Sequence, residues 1–400
     1  MSCPLHSRIH RAIFRPSKTS ALAALAVVSA ASAQSSVTLS GNIDLGYSSL
    51  TEKATDSTIP ASIERKRAGQ IGNGAAGWTS SMLKLTVSED LGSGLKAGFV
   101  GEMNVFSVGA GTDTANQLLG TARQSYVNVS GGFGEVKMGY IYTTDDQIQG
   151  GVGRATPTGN VGGRFQNFSV SIPQTATTWF PVTSDVATRT NAVEWNKEII
   201  PGLTAIVQYG KVTDETTTSP GTTPGIAAPQ GTWSGVAGKY VRGPLTLGAS
   251  FAKLSTDTQT INTPNTNTAT NRRLSTYAAN YDFGVVKAFV NFTDRSNQLD
   301  LRSANAGKTT TKGYDIGLSA PLGATTLFAA LGKGAFKANN AMNVGEANVG
   351  IKTQLLGATY DLSKRTSLNA YYAMTKANDD LENSGSAKKT NFGFGLRHQF

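Results

Sequence analysis

Three histidines and a single cysteine are all that this 400-residue chain offers for nucleophilic or zinc chemistry. A Ser–His or Cys–His couple needs an imidazole beside its nucleophile, and a zinc site needs several such ligands together. His6, His10 and Cys3 lie at the extreme N-terminus, and His398 stands two residues before the terminal Phe400 among alternating apolar side chains. His398 therefore reads as an interfacial residue rather than a general base. The run GGFG at 131–134 resembles a phosphate loop in composition, but it reads as a hairpin turn with no helix after it. Asp145 and Asp146 could hold a cation, yet no further ligand follows at calcium-loop spacing, so they read as an acidic pair in a solvated loop. Lys and Arg exceed Asp and Glu by 36 to 26, but they are scattered, which argues against a nucleic-acid surface. No catalytic residue, metal or cofactor is expected.

The first 33 residues read as a secretory signal peptide. Arg8, Arg11, Arg15 and Lys18 form a basic start, an apolar run covers 21–30, and Ala31, Ser32 and Ala33 make a small-residue cleavage site. Cleavage leaves 34–400 as the mature domain, takes away the only cysteine, and lowers the net charge from +10 to +6. No apolar stretch of helix-spanning length remains, so a membrane-embedded form must be a closed barrel.

The elements that would carry any site are strands. The last seven residues place Phe394, Leu396, His398 and Phe400 on one face and Arg397 and Gln399 on the other. The same period appears near the start, where Val37, Leu39, Ile43, Leu45 and Tyr47 oppose Thr38, Ser40, Asn42 and Asp44. Two amphipathic strands at opposite ends of the chain are what closing a barrel requires. Short turns at 89–93, 131–134, 198–202, 242–244, 282–284, 321–323 and 362–365 alternate with long polar stretches. Those stretches lie at 49–78, 106–120, 144–187, 212–231, 254–272, 294–311, 333–351 and 377–388. Seven turns and eight loops make sixteen strands, and strict short–long alternation is the outer-membrane pattern. The expected fold is all-β: a 16-stranded antiparallel transmembrane barrel with short periplasmic turns and long external loops. Tyr240, Tyr281, Phe283 and Tyr360 beside the turns fit a periplasmic aromatic girdle. Sixteen strands leave a water-filled lumen, which points to transport filtered by the charges of its narrowest section. The segment 144–187 is the candidate to fold inward, and it carries Asp145, Asp146, Arg154, Arg164 and Asp185.

Six segments resemble the trimeric general porins of Gram-negative outer membranes, nearest the β-proteobacterial branch. They are SVTLSG at 36–41, EDLGSGLKA at 89–97, RQSYV at 123–127 running into GGFG, GPLTLG at 243–248, LSKRT at 362–366 and GLRHQF at 395–400. They span the mature chain in the family's order. The resemblance implies a homotrimer, an inward-folded third external loop, and passive diffusion of ions and small hydrophilic solutes. It also implies outer-membrane lipid and lipopolysaccharide as surroundings. The terminal strand with Phe394, Leu396, His398 and Phe400 would be the signal read by the barrel-assembly machinery.

In these porins an arginine ladder on the wall faces acidic groups of the third loop. Arg123 matches one arginine of that ladder, whereas Met82, Tyr140 and Thr86 stand where the family has basic residues. Lys84, Lys96, Lys137 and Arg397 replace part of that charge where they point into the lumen. Met82 and Tyr140 would make the constriction less polar, which suggests tolerance of aromatic or amphiphilic solutes. Two alternatives stay open: a substrate-specific channel, and a non-conducting barrel acting as an adhesin or surface receptor.

Overall fold

The computed structural model describes residues 35–56, 59–73, 80–107, 117–154, 168–172, 175–179, 189–213, 230–258, 268–301, 307–339, 347–379 and 386–400. The expected leader at 1–33, Arg164 and Asp185 lie outside the described residues. In chain order the strands are β1 (Ser36–Asp56), β2 (Ile59–Asn73), β3 (Met82–Gly92), β4 (Leu95–Ser107), β5 (Gln117–Gly131) and β6 (Gly134–Tyr142). Helix α1 (Thr144–Val152) follows, then β7 (Phe168–Ile172), β8 (Thr175–Trp179), β9 (Arg189–Ile200), β10 (Leu203–Thr213), β11 (Gln230–Arg242) and β12 (Leu245–Thr258). The chain ends with β13 (Thr268–Asp282), β14 (Lys287–Leu301), β15 (Gly307–Leu322), β16 (Thr325–Asn339), β17 (Ala347–Asp361), β18 (Thr366–Asp379) and β19 (Ser386–Gln399).

All strands but β7 and β8, which pair only with each other, form one antiparallel sheet closed by β1 against β19. The sheet has sixteen staves, because β2 and β3 share one. The lower part of β1 pairs with β3 (Ser36 with Ser88 through Asn42 with Met82), and its upper part pairs with β2. Where that stave is interrupted, Ser81 stitches it: its Oγ accepts from Asp44 N at 2.8 Å and donates to Asp44 O at 3.3 Å. The seam itself is finished by the last residue. Gly41 N donates to Phe400 O at 3.0 Å, and Phe400 N donates to Gly41 O at 3.1 Å.

Burial is inverted relative to a water-soluble protein. Asp44, Glu194, Ser250 and Thr276 are fully buried, while Val37 is 69% exposed and Leu331 62%. Alternation therefore turns polar side chains to the interior and apolar ones outward, the arrangement a lipid-embedded barrel needs. Six of the seven tight turns carry a glycine at positive φ, such as Gly202 at 84° and Gly284 at 87°. The seventh is closed by Ser363, whose Oγ accepts from Arg365 N at 3.2 Å and Thr366 N at 3.0 Å.

The structure corrects the extent of the strands. β1 runs to Asp56, β12 to Thr258, β14 to Leu301 and β16 to Asn339, well inside the stretches expected as loops. Polar Thr- and Asn-rich composition marks where lipid ends, not where the backbone ladder ends. Threonine fits a pleated, solvated strand well, so pairing continues beyond the apolar band.

Candidate functional site

Helix α1 lies inside the barrel, as the length of the 144–187 segment suggested. Its sequence is a weak helix former, with Gly150 and Gly151 in its second half. Asp145 and Asp146 in the first turn favour the helix dipole, but the wall supplies the seat. Ile148 and Val152 pack on Ala278 and Ala237. At Gly248 an added Cβ would stand 2.9 Å from Ile148 Cγ2, so the wall's missing side chains form the groove that the helix fills. The C-terminal carbonyls are capped from the wall: Asn280 Nδ2 donates to Val152 O at 2.6 Å and Asn291 Nδ2 to Gly153 O at 2.8 Å. Ser250 Oγ donates to Thr144 Oγ1 at 3.0 Å near the other end.

The acidic pair corrects its expected setting. Asp145 is 1% exposed and Asp146 6%, so neither is a solvated loop residue. Asp145 Oδ2 lies 3.6 Å from Arg295 Nη2, and Asp146 Oδ1 lies 3.9 Å from Arg154 Nη2. A buried carboxylate left unpaired would be costly, and each guanidinium offsets that cost.

A buried hub anchors the start of the helix. Glu194 on β9 accepts from Lys137 Nζ at 2.8 Å, Gln147 Nε2 at 2.6 Å, Gln208 Nε2 at 2.6 Å and Asn196 Nδ2 at 3.2 Å. Gln208 is held in turn, donating to Tyr142 O at 2.7 Å and accepting from Trp233 Nε1 at 3.0 Å. Lys137 also lies 3.6 Å from Glu135 and over the Tyr126 ring at 5.6 Å.

The second cluster centres on Arg123, which its strand delivers by a defect. Glu102 stands opposite Gln124 and Met103 opposite Ala122, so Arg123 is the extra residue of a β-bulge. Unbroken alternation would put it on the outer face with exposed Val127; the bulge re-aims it inward. Its Nε donates to Glu102 Oε1 at 2.6 Å, Nη1 to Ser80 Oγ at 3.1 Å and Asn104 Oδ1 at 3.3 Å, and Nη2 to Tyr142 OH at 2.8 Å. Arg189 Nη2 donates to the same hydroxyl at 3.0 Å, with its guanidinium 4.5 Å from the Tyr142 ring centre.

Of the other residues picked from the sequence, the wall gathers some around this cluster. Met82 lies opposite Asn42 and Asn104 on the inner face, and Lys84 lies opposite Ser40 and Glu102. Arg397 faces inward opposite buried Asp44. Lys96, opposite Asp90 and Ser130, sits beside a short turn at the far end of the barrel. Tyr140 lies opposite Ser125 and Asn191 and shares the outer face with exposed Met138 and Val193, so it does not join Arg123. In the terminal strand, Phe394 and Leu396 are exposed on the outer face, and His398 Nδ1 meets Thr366 Oγ1 at 2.9 Å there. Glu102, Tyr142, Arg189, Glu194, Gln208 and Arg295 were not singled out from the sequence. The inward place of Glu102, Glu194, Gln208 and Arg295 in the strand period was legible, but their convergence was not; Tyr142 and Arg189 have the outward parity of Tyr140 and Val193, so nothing in the period pointed to their meeting Arg123.

A polar-lined sixteen-stave barrel with a loop helix packed inside it narrows the choice to one kind of channel, and sequence comparison decides it. Residues 20–380 match the profile of the Gram-negative porins. The chain belongs to the Gram-negative porin family. Outer membrane porin protein 32 of Delftia acidovorans is 30% identical over 381 residues, covering 94% of both chains. The anion-selective porin from Comamonas acidovorans superposes with a TM-score of 0.58 at 25% identity, covering 92% of this chain and 100% of that one. The outer membrane channel DcaP of Acinetobacter baumannii, 13% identical with a TM-score of 0.60 over 92% of this chain, shares the fold. As a porin, this chain is an outer-membrane protein whose barrel passes ions and small solutes by passive diffusion. The surface-receptor reading is set aside accordingly.

Proposed function

We propose that this porin is a general diffusion channel with a weak preference for anions, set where α1 narrows the lumen opposite the Arg123 wall. The observation that carries the reading is local pairing of charge. Arg123 pairs with Glu102, Lys137 with Glu194, Asp145 with Arg295 and Asp146 with Arg154. Pairing of this kind shortens the reach of each charge, so the two sides of the constriction do not face one another as bare opposite poles. On the Arg123 wall, the cations Lys84, Arg123, Lys137 and Arg189 stand against the carboxylates Glu102, Glu135 and Glu194. The small excess is positive. A relative being an anion-selective porin supports the same sign.

The channel works as a homotrimer, as the family resemblance suggests, and residues 1–33 are removed on export. The test is the zero-current potential of purified protein across a planar bilayer in a salt gradient. A potential of anion sign with a modest permeability ratio is expected. A clear cation preference would overturn the selectivity, and silence from folded, heat-modifiable protein would overturn the channel itself.

A further inference from the structure

Tyr142 and Arg189 reach Arg123 against the parity of their strands. The outer face of β6 carries Met138, 58% exposed, and that of β9 carries Val193, 46% exposed. Tyr142 and Arg189 have the same parity as these two, and they form the last pair of the β6–β9 ladder. Strict alternation would leave both on the outer side. They escape it because the ladder ends with them. Tyr142 is followed by Thr143, the N-cap of α1, and Arg189 is the first residue of β9. The two therefore stand where the chain leaves the wall and where it rejoins it, and their side chains swing over the strand ends into the lumen.

The Tyr142 hydroxyl organises what they meet. Arg189 Nη2 donates to it at 3.0 Å, and Arg123 Nη2 donates to it at 2.8 Å. The hydroxyl itself donates to Glu102 Oε1 at 3.4 Å. A phenol offers one proton and two lone pairs, so this one is fully used. The Tyr142 carbonyl is engaged separately, accepting from Gln147 Nε2 at 3.0 Å and Gln208 Nε2 at 2.7 Å. The side chain thus serves the charges, and the backbone serves the helix.

One neutral oxygen holds two guanidinium groups side by side, although like charges so close repel. Glu102 offsets one of them through its 2.6 Å bond with Arg123. Arg189 gains from the ring face as well, with its guanidinium 4.5 Å from the ring centre, a cation–π contact. Tyr142 and Arg189 are both half-buried rather than sealed, so a passing ion meets them. The result is a doubled positive spot on the lumen wall, drawn from β5 and β9, which are not neighbours in the sheet.

We infer that Arg189 is a specificity-determining cation of the pore, and that Tyr142 is the positioning residue that brings it there. This rests on the charge-filtering constriction proposed above and names a second charge that sets its permeability ratio. The expected effect is a shift toward cations, so its test does not depend on the wild-type sign. A cation-preferring wild type would overturn the sign proposed above and leave this test intact.

Reversal potentials in a potassium chloride gradient are compared for wild type, Arg189→Gln, Arg189→Lys, Tyr142→Phe and the double variant Tyr142→Phe, Arg189→Gln. Arg189→Gln should lower the anion-to-cation permeability ratio by about twofold, the effect of one unit charge beside a solvated path. Arg189→Lys keeps the charge and should keep the ratio. Tyr142→Phe removes the hydroxyl but not the ring, so the ratio should fall part of the way. Arg123 retains Glu102, Ser80 and Asn104 in that variant. Loss of the hydroxyl should therefore add nothing once Arg189 is gone. Single-channel amplitude and noise should match wild type in Tyr142→Phe, because its carbonyl still holds Gln147 and Gln208. An unchanged ratio in Arg189→Gln would overturn the inference. So would an equal fall from Tyr142→Phe with and without Arg189, or a fall in Arg189→Lys as deep as in Arg189→Gln; either would make the pair a clasp on the chain ends and no more. If Arg189→Gln does not fold, Tyr142→Phe alone is measured, and an unchanged ratio there counts against the pair.

Discussion

Arg123 and Glu102 meet at 2.6 Å across β5 and β4, and they do so because β5 carries one residue too many at that point. The bulge couples the register of the wall to the charge of the lumen. Glu102→Gln keeps the shape and removes the counter-charge. At effective dielectrics between those of water and a protein surface, one unit charge several ångströms away is worth about 0.5–2 kcal/mol, a change of about twofold or more. The anion-to-cation permeability ratio should rise by about that factor in Glu102→Gln and fall by as much in Arg123→Gln. Reversal potentials in a salt gradient measure both, and equal ratios in the two variants would remove Arg123 from the selectivity filter.

Glu194 should govern how firmly the inner helix sits. Its carboxylate is fully buried and gathers Lys137, Gln147, Gln208 and Asn196. Glu194→Gln brings a donating amide against three donating amides and leaves Lys137 without its closest anion, a loss of about 2–4 kcal/mol at this junction. Single-channel records should become noisier, with larger and more variable conductance, while the heat-modifiable barrel persists. Quiet records of wild-type amplitude would show that the helix does not depend on this hub.

The groove under the helix can be filled. Gly248→Val places its Cβ on Ile148 and Val152, which must shift, and overpacking of this kind costs about 1–3 kcal/mol. The expected result is a displaced helix and altered conductance. Gly132→Ala, in a turn where an added Cβ meets nothing within 4 Å, serves as the control and should conduct as wild type does.

Met82 and Tyr140 separate cleanly. Met82→Arg adds a guanidinium on the inner face two strands from Arg123 and should raise anion preference by about threefold. Tyr140→Arg puts a charge on the outer face with Met138, so selectivity should hold while folding into lipid weakens by about 1–4 kcal/mol, depending on depth. Urea titration of barrels folded in lipid vesicles gives the second number. A selectivity change in Tyr140→Arg would mean that the residue faces the lumen after all.

Much of this was legible in the chain. Period-two patterning gave the faces of β1 and β19, and the alternation of connection lengths gave sixteen staves and the segment that folds inward. Pattern could not reveal the bulge at Arg123, since a one-residue insertion in the ladder leaves no mark in composition. The same blindness put Tyr140 beside Arg123 by analogy, when only the register shows it turned away. Asp145 looked solvated because its partner Arg295 lies far along the sequence. Convergence of distant inward residues on Glu194 is a property of the closed barrel and exists only once the seam is made.

That seam also orders events in time. Gly41 exchanges both of its backbone bonds with Phe400, more than 350 residues later in the chain, and β1 pairs with β19 from Asn42 with Gln399 to Thr55 with Ser386. The first strand therefore has no partner on that edge until β19 has crossed to the compartment where the barrel folds. Closure of so long a loop adds little entropy beyond that of a shorter one, because the cost grows only with the logarithm of length. The delay is one of availability rather than energy: throughout export β1 travels with an open ladder edge that something other than its own chain must keep from pairing.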